Sequence, residues 1–171
     1  MNILKSITIL LFITSCNFHK ENIKTESKQA NTKLNNDSIL VPKFEIEIKL
    51  SEKAEKKLSE DNETIIVQAL FIGIPKDTTL LDEEYQKFGQ LTIGKQRIEL
   101  KKERLAKFYD CKISKKDYDG LCNKNYEVNI NVFSGRKSSS NNLINCDFLQ
   151  DGIENVKNKK FTLKGKLIYG E

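Results

Sequence analysis

The chain reads as mainly β, an antiparallel β-sandwich with one or two short helices, and three observations predict that class. Apolar and polar residues alternate with a period of two in three separate segments, as expected of strands with one face on a core and the other in water. A fourth segment, residues 64–72 (TIIVQALFI), is apolar on both faces, as a central, covered strand would be. Helical spacing is confined to two short stretches. Composition permits this class: among 171 residues, 38% are hydrophobic and 31% charged, with eight Gly and two Pro, which excludes collagenous, low-complexity and fully disordered chains.

Taken in order, Phe44, Ile46, Ile48 and Leu50 oppose Glu45, Glu47 and Lys49 in a first strand. A short helix is predicted over residues 51–59, with Ser51 as N-cap, Glu52 in the first turn, and Ala54 and Leu58 one turn apart on one face. The covered strand at 64–72 follows. Residues 89–93 and 96–100 predict two short strands joined by a two-residue turn at Gly94-Lys95. Residues 105–111 predict another strand, and a second helical turn is expected near 114–121. Tyr126, Val128, Ile130 and Val132 then alternate with Glu127, Asn129 and Asn131. Residues 143–148 form a further short strand. The last strand places Phe161, Leu163, Leu167 and Tyr169 against Lys160, Thr162, Lys164 and Lys166, with Gly165 a gap on the core side. Its lysines would shield a sheet edge from pairing with another chain. Seven or eight strands over residues 43–171 predict two packed sheets. A short helix inserted between the first two strands resembles transthyretin-like and immunoglobulin-like sandwiches, a likeness of architecture that carries no function.

The N-terminus supplies an address. One positive charge at Lys5 precedes an apolar run at residues 7–13, too short to span a bilayer as a helix, which needs about 20 apolar residues. Residues 1–15 therefore read as a signal peptide. The stretch Ile13-Thr14-Ser15-Cys16 resembles the lipobox of bacterial lipoproteins. That resemblance implies cleavage before Cys16, diacylation of its thiol and acylation of the new N-terminus. More than one acyl chain on one residue gives stable attachment. The expected partner at this end is thus the membrane, through the N-terminal lipid. Asn17 stands where an Asp would retain such a protein in a Gram-negative inner membrane, so the outer membrane is expected if the source is Gram-negative. Residues 16–42, rich in Asn, Lys, Glu, Ser and Thr without apolar period, read as the lipidated Cys and a flexible tether. As a coil its span would be roughly 25 to 30 Å. Residues 43–171 form the single domain.

Charge points away from nucleic acid. The net charge of +5 comes from 29 basic residues, all lysine except Arg97, Arg104 and Arg136, whereas nucleic-acid surfaces cluster basic groups and favour Arg. The single histidine, His19, lies in the tether, so no Ser/His, Cys/His or His-metal constellation can form within the domain. No catalytic residue, metal or cofactor is assigned. Carboxylate-only chemistry would draw on Asp82, Glu83 and Glu84, or on Asp117 and Asp119. The first cluster reads as a solvated loop, and KKDYDG lacks the further oxygen ligands of a calcium loop. Outside the cytoplasm a disulfide between Cys111 and Cys122 is expected, with Cys146 the alternative partner of Cys122. The odd cysteine reads as a small buried hydrophobe.

The most distinctive segment is FSGRKSSSNNLINC at residues 133–146. Its composition alone makes a long hairpin loop. As a recognition loop, Arg136 would fork onto a carboxylate or phosphate, with Lys137, Ser138, Ser139, Ser140, Asn141 and Asn142 supplying charge and adaptable hydrogen bonds. The sequence thus predicts a lipid-anchored cell-envelope lipoprotein serving as a non-enzymatic binding or structural module, with an envelope protein or glycan as its partner. The alternatives are an inhibitor or immunity protein that plugs a hydrolase or toxin, and a carboxylate-only enzyme acting on glycans. The address is testable: Cys16→Ser should abolish acyl labelling and cleavage by the lipoprotein signal peptidase. Unchanged labelling and membrane fractionation would reject the lipobox.

Overall fold

A computed structural model describes residues 37–77 and 89–170. They form β1 (Ser38–Leu40), β2 (Phe44–Leu50), α1 (Glu52–Glu60), β3 (Ile65–Gly73), β4 (Leu91–Leu100), β5 (Leu105–Phe108), β6 (Lys112–Ser114), α2 (Lys115–Asp119), β7 (Glu127–Ser134), β8 (Ile144–Cys146), β9 (Leu149–Gly152), α3 (Ile153–Val156) and β10 (Lys160–Leu167). Two four-stranded sheets, ordered β5-β2-β10-β8 and β4-β3-β7-β9, pack together as the β-sandwich, and β1 pairs with β6 in a small third sheet. Every described strand pair is antiparallel except β2 with β10, which run parallel with Ile46 beside Phe161 and Ile48 beside Leu163. No described helix is long and apolar enough to cross a membrane.

The alternating residues meet where their period demands. Phe44, Ile46, Ile48 and Leu163 of one sheet and Val67, Ala69, Phe71, Val128 and Ile130 of the other are buried in one core. Phe44 stacks on its cross-strand partner Phe108 with ring centroids 4.8 Å apart. Strand β3 is central, between β4 and β7. On its outer face Gln68 accepts a 2.6 Å hydrogen bond from Arg97 Nε, and the Arg97 guanidinium lies over Phe133, so long side chains of the same sheet help cover it.

Helix α1 starts as its cap predicts, with Ser51 Oγ accepting from the Ala54 N–H at 3.2 Å, and it buries Ala54 and Leu58. Arg104 grips Glu55 with two nitrogens, at 2.9 and 2.5 Å, a bidentate clip from the β4–β5 turn to the helix. Ser114 Oγ likewise caps α2 by accepting from the Asp117 N–H.

Several expectations are corrected. Gly94 and Lys95 make no turn; they lie inside one continuous ten-residue strand, β4. Gly94 is there because β6 crosses it, where a Cβ would meet Ile113 Cγ2 at 2.7 Å. The lysine-bearing strand β10 is no edge but lies between β2 and β8, and Lys160 bonds Glu47 of β2. Tyr169 falls beyond β10 and is 85% exposed. Residues 38–40, read as part of the tether, form β1; Val41 is buried and its N–H donates to the Cys111 carbonyl. Residues 1–36, which hold the expected leader and most of the expected tether with Cys16 and His19, lie outside the described residues.

The expected disulfide is absent. Cys111, Cys122 and Cys146 are all free thiols, because the fold sends them to different places. Cys111 packs in the core ahead of β6, Cys122 lies exposed beyond α2 with its thiol donating to the Pro75 carbonyl, and Cys146 sits on β8 opposite Gly165. Neither Cys111 nor Cys146 pairs with Cys122. Burial, aided by Asp110 and Asp147 respectively, pushes both of the sequestered thiols up to about 11.

The core-side gap at Gly165 also has its cause in Cys146. A Cβ at 165 would stand 2.4 Å from Cys146 Sγ and 2.7 Å from Leu50 Cδ2. Gly165→Ala should therefore cost about 1–3 kcal/mol in denaturant unfolding, and adding Cys146→Ala should recover part of the loss. An unchanged midpoint in the single variant would refute this overpacking.

Candidate functional site

Two places merit comparison, and β7 separates them. Its residue Glu127 borders a cleft while Ser134 opens the 133–146 segment, so the sites lie roughly 23 Å apart at the rise of an extended strand.

The loop is built around a carboxylate that the sequence reading missed. Glu63, 5% exposed in the turn after α1, accepts the Thr64 N–H at 2.9 Å, the Lys137 N–H at 2.9 Å, and both the N–H and the hydroxyl of Ser138 at 2.8 Å. Arg136 makes this possible by adopting a left-handed φ of 59°, which turns two successive N–H groups toward the carboxylate. Gly135 must approach Thr64 closely, since a Cβ there would meet Thr64 Oγ1 at 1.9 Å. Burial raises the Glu63 pKa, yet the backbone bonds from Ser138, Lys137 and Thr64 outweigh it and hold the group below its ordinary value. Lys137 is also engaged by Glu99, at 3.1 Å, which accepts from the Thr64 hydroxyl as well.

Of the two asparagines, Asn142 is equally committed. Asn142 accepts from the Ser134 N–H and donates to the Ile144 carbonyl, while Ser134 Oγ accepts from the Leu143 N–H. Ser139 Oγ takes the Asn141 N–H. The structure thus brings Lys137, Ser138 and Asn142 together as internal fastenings. Arg136 is exposed, and its guanidinium makes no hydrogen bond or ion pair among the described residues.

The cleft at the other end has a volume of about 690 Å³, within the usual small-ligand range of ~300–1,000 Å³. β1 supplies Ile39 and Leu40, the end of β3 supplies Ile72, Ile74 follows just beyond it, and α3 supplies Ile153 and Glu154. Tyr118 and the segment 122–126 complete it. Tyr126 is held edge-on between Phe71 and Tyr118, with centroids 6.3 and 6.0 Å away. It is only 7% exposed, lines the cleft, and its hydroxyl has no hydrogen-bond partner among the described residues. Among the described residues no fully buried polar side-chain atom lacks a partner, which fits a hydroxyl that is open to the cleft Tyr126 lines. Burial, with Tyr118 and Glu154 nearby, pushes its pKa up to about 12, so the phenol keeps its proton.

Sequence reasoning placed Tyr126 as the first core residue of a strand and passed over Asn123, Asn125 and Tyr118. The cluster NKNY before the strand was the available signal. Of the nominated carboxylates, Asp82, Glu83 and Glu84 lie outside the described residues. Asp119 is a clasp: it bonds Lys115 and Lys124, which hold its pKa low, and its carbonyl accepts from Lys76. Asp117 lies in α2 and donates its backbone N–H to the capping Ser114 Oγ.

No protein-family model matches the chain, and neither the curated proteins nor the solved structures compared with it include a match.

Glu63→Gln should destabilise the protein by about 1.5–3 kcal/mol at neutral pH, since hydrogen bonds to a charged acceptor are weakened together. Because the folded-state pKa of Glu63 lies below 4.5, its stabilisation is complete above that pH and fades as pH falls through the lower folded value. The gap between wild type and variant in thermal melts should therefore narrow in acid. A gap independent of pH would show that the carboxylate charge is not what holds the loop.

Proposed function

We propose that this chain is a lipid-anchored cell-envelope lipoprotein that acts as a non-enzymatic binding module, and that the cleft, rather than the 133–146 loop, takes the ligand. One observation carries the choice of site: Tyr126 Oη is a polar group on a nearly buried side chain, open to a cleft and without a hydrogen-bond partner among the described residues. The other buried polar side chains among the described residues, Glu63, Thr64, Gln68 and Ser134, are satisfied internally. Leu40 and Ile74, 59% and 62% exposed, add apolar surface at the same cleft. An exposed apolar rim around a few uncommitted polar groups is the usual make-up of a ligand site. The lipobox resemblance at Ile13-Thr14-Ser15-Cys16 supports the envelope address.

An inhibitor or immunity role keeps one specific support. Arg136 projects from a loop already fastened by Glu63, so a plug built on it would lose little entropy on docking. Photo-cross-linkers placed at Leu40 and at Arg136 in envelope-bound protein separate the two readings. Adducts, or retention on the envelope polymer, should arise from position 40 and not from 136. The reverse pattern would transfer the function to the loop, and silence at both positions would reject a binding role.

A further inference from the structure

From the state of each polar group in the cleft we infer that its ligand is an uncharged, polyhydroxylated molecule, a short glycan segment; this rests on the cleft being the binding site. Each charged side chain of the lining already makes an ion pair or a hydrogen bond. Lys124 bonds Asp119 at 3.2 Å and lies over the Tyr118 ring, Glu127 accepts from Gln150 at 2.6 Å, and Glu154 pairs with Lys157 at 3.4 Å. What remains uncommitted is neutral: the hydroxyls of Tyr118 and Tyr126 and the amides of Gln90, Asn123 and Asn125, none of which has a hydrogen-bond partner among the described residues.

Each of these groups can both donate and accept. A sugar hydroxyl does the same, so the two sets are complementary in a way that a carboxylate or phosphate, needing donors and a free cation, is not. The retained proton of Tyr126 keeps that hydroxyl available as a donor. Ile39, Leu40 and Ile74 offer apolar surface to the C–H faces of pyranose rings. An acyl chain would cover the same surface but leave the amides and phenols without partners, which is unfavourable once water is excluded.

The test uses the full-length chain in detergent, titrated with a panel of neutral oligosaccharides built from glucose, galactose, mannose or N-acetylglucosamine, alongside laurate and a neutral tetrapeptide. Saturable binding of a panel member is expected. Tyr126→Phe, which removes only the hydroxyl, should weaken it about tenfold, whereas Arg136→Ala should leave it unchanged. Binding should also slow alkylation of Cys122, the exposed cysteine at the cleft, as read by mass spectrometry of its peptide. Laurate or tetrapeptide protecting Cys122 while no oligosaccharide binds would overturn the glycan assignment and leave the cleft standing. Protection by none of the probes, with no binding, would overturn both. Oligosaccharide binding indifferent to Tyr126→Phe and to Cys122 labelling would place the glycan elsewhere and reject the inference.

Discussion

Strand β10 lies between β2 and β8, so the sheet bearing Phe44, Ile46 and Ile48 is incomplete until the last strand arrives. The pairing with β2 is parallel and joins residues more than a hundred positions apart. Such a pairing must await the rest of the domain, because closing so long a loop costs entropy before any contact is gained. Other features follow from that insertion. Gly165 has no side chain because Cys146 and Leu50 crowd the position, and its carbonyl accepts the Ser51 N–H that leads into α1. Glu47 collects Lys160 and Thr162 across the same pair, and these bonds hold its carboxyl below the usual range.

The two ends of the sandwich treat polar groups in opposite ways. At the Arg136 end, a buried carboxylate gathers four hydrogen bonds, and Lys137, Ser138 and Asn142 are turned inward. With Lys137, Ser138 and Asn142 engaged internally, what this loop still offers a partner is the Arg136 guanidinium and the exposed side chains of Ser140 and Asn141. At the other end the ion pairs lie around the cleft, while phenols and amides within it stay open. Polar groups left open in a cleft need new partners once a ligand displaces water from them, which favours a ligand that carries hydroxyls.

Much of the fold was legible because its signals are local. Period-two alternation predicted β2, β7 and β10, the double-faced run predicted a central β3, and Ser51 and Ser114 marked the starts of α1 and α2. Failures share a cause: each depended on what lies across from a residue. Gly94 reads as a turn until β6 is seen to cross it. The lysines of β10 read as edge protection until strand order is known, and three cysteines read as a disulfide until their positions in the fold separate them.

The sequence by itself determined the class of the fold and most of the longer elements, because periodicity and capping are properties of neighbouring residues, and it supplied the lipobox resemblance on which the proposed anchor at Cys16 rests. Tertiary structure alone decided the order of the strands, the inward commitment of the 133–146 loop, and the cleft where Gln90, Tyr118 and Tyr126 converge. Convergence of this kind leaves no mark on a linear pattern. Whether a serine or an asparagine is a fastening or a free contact depends on which backbone groups the packed sheets bring within hydrogen-bond reach.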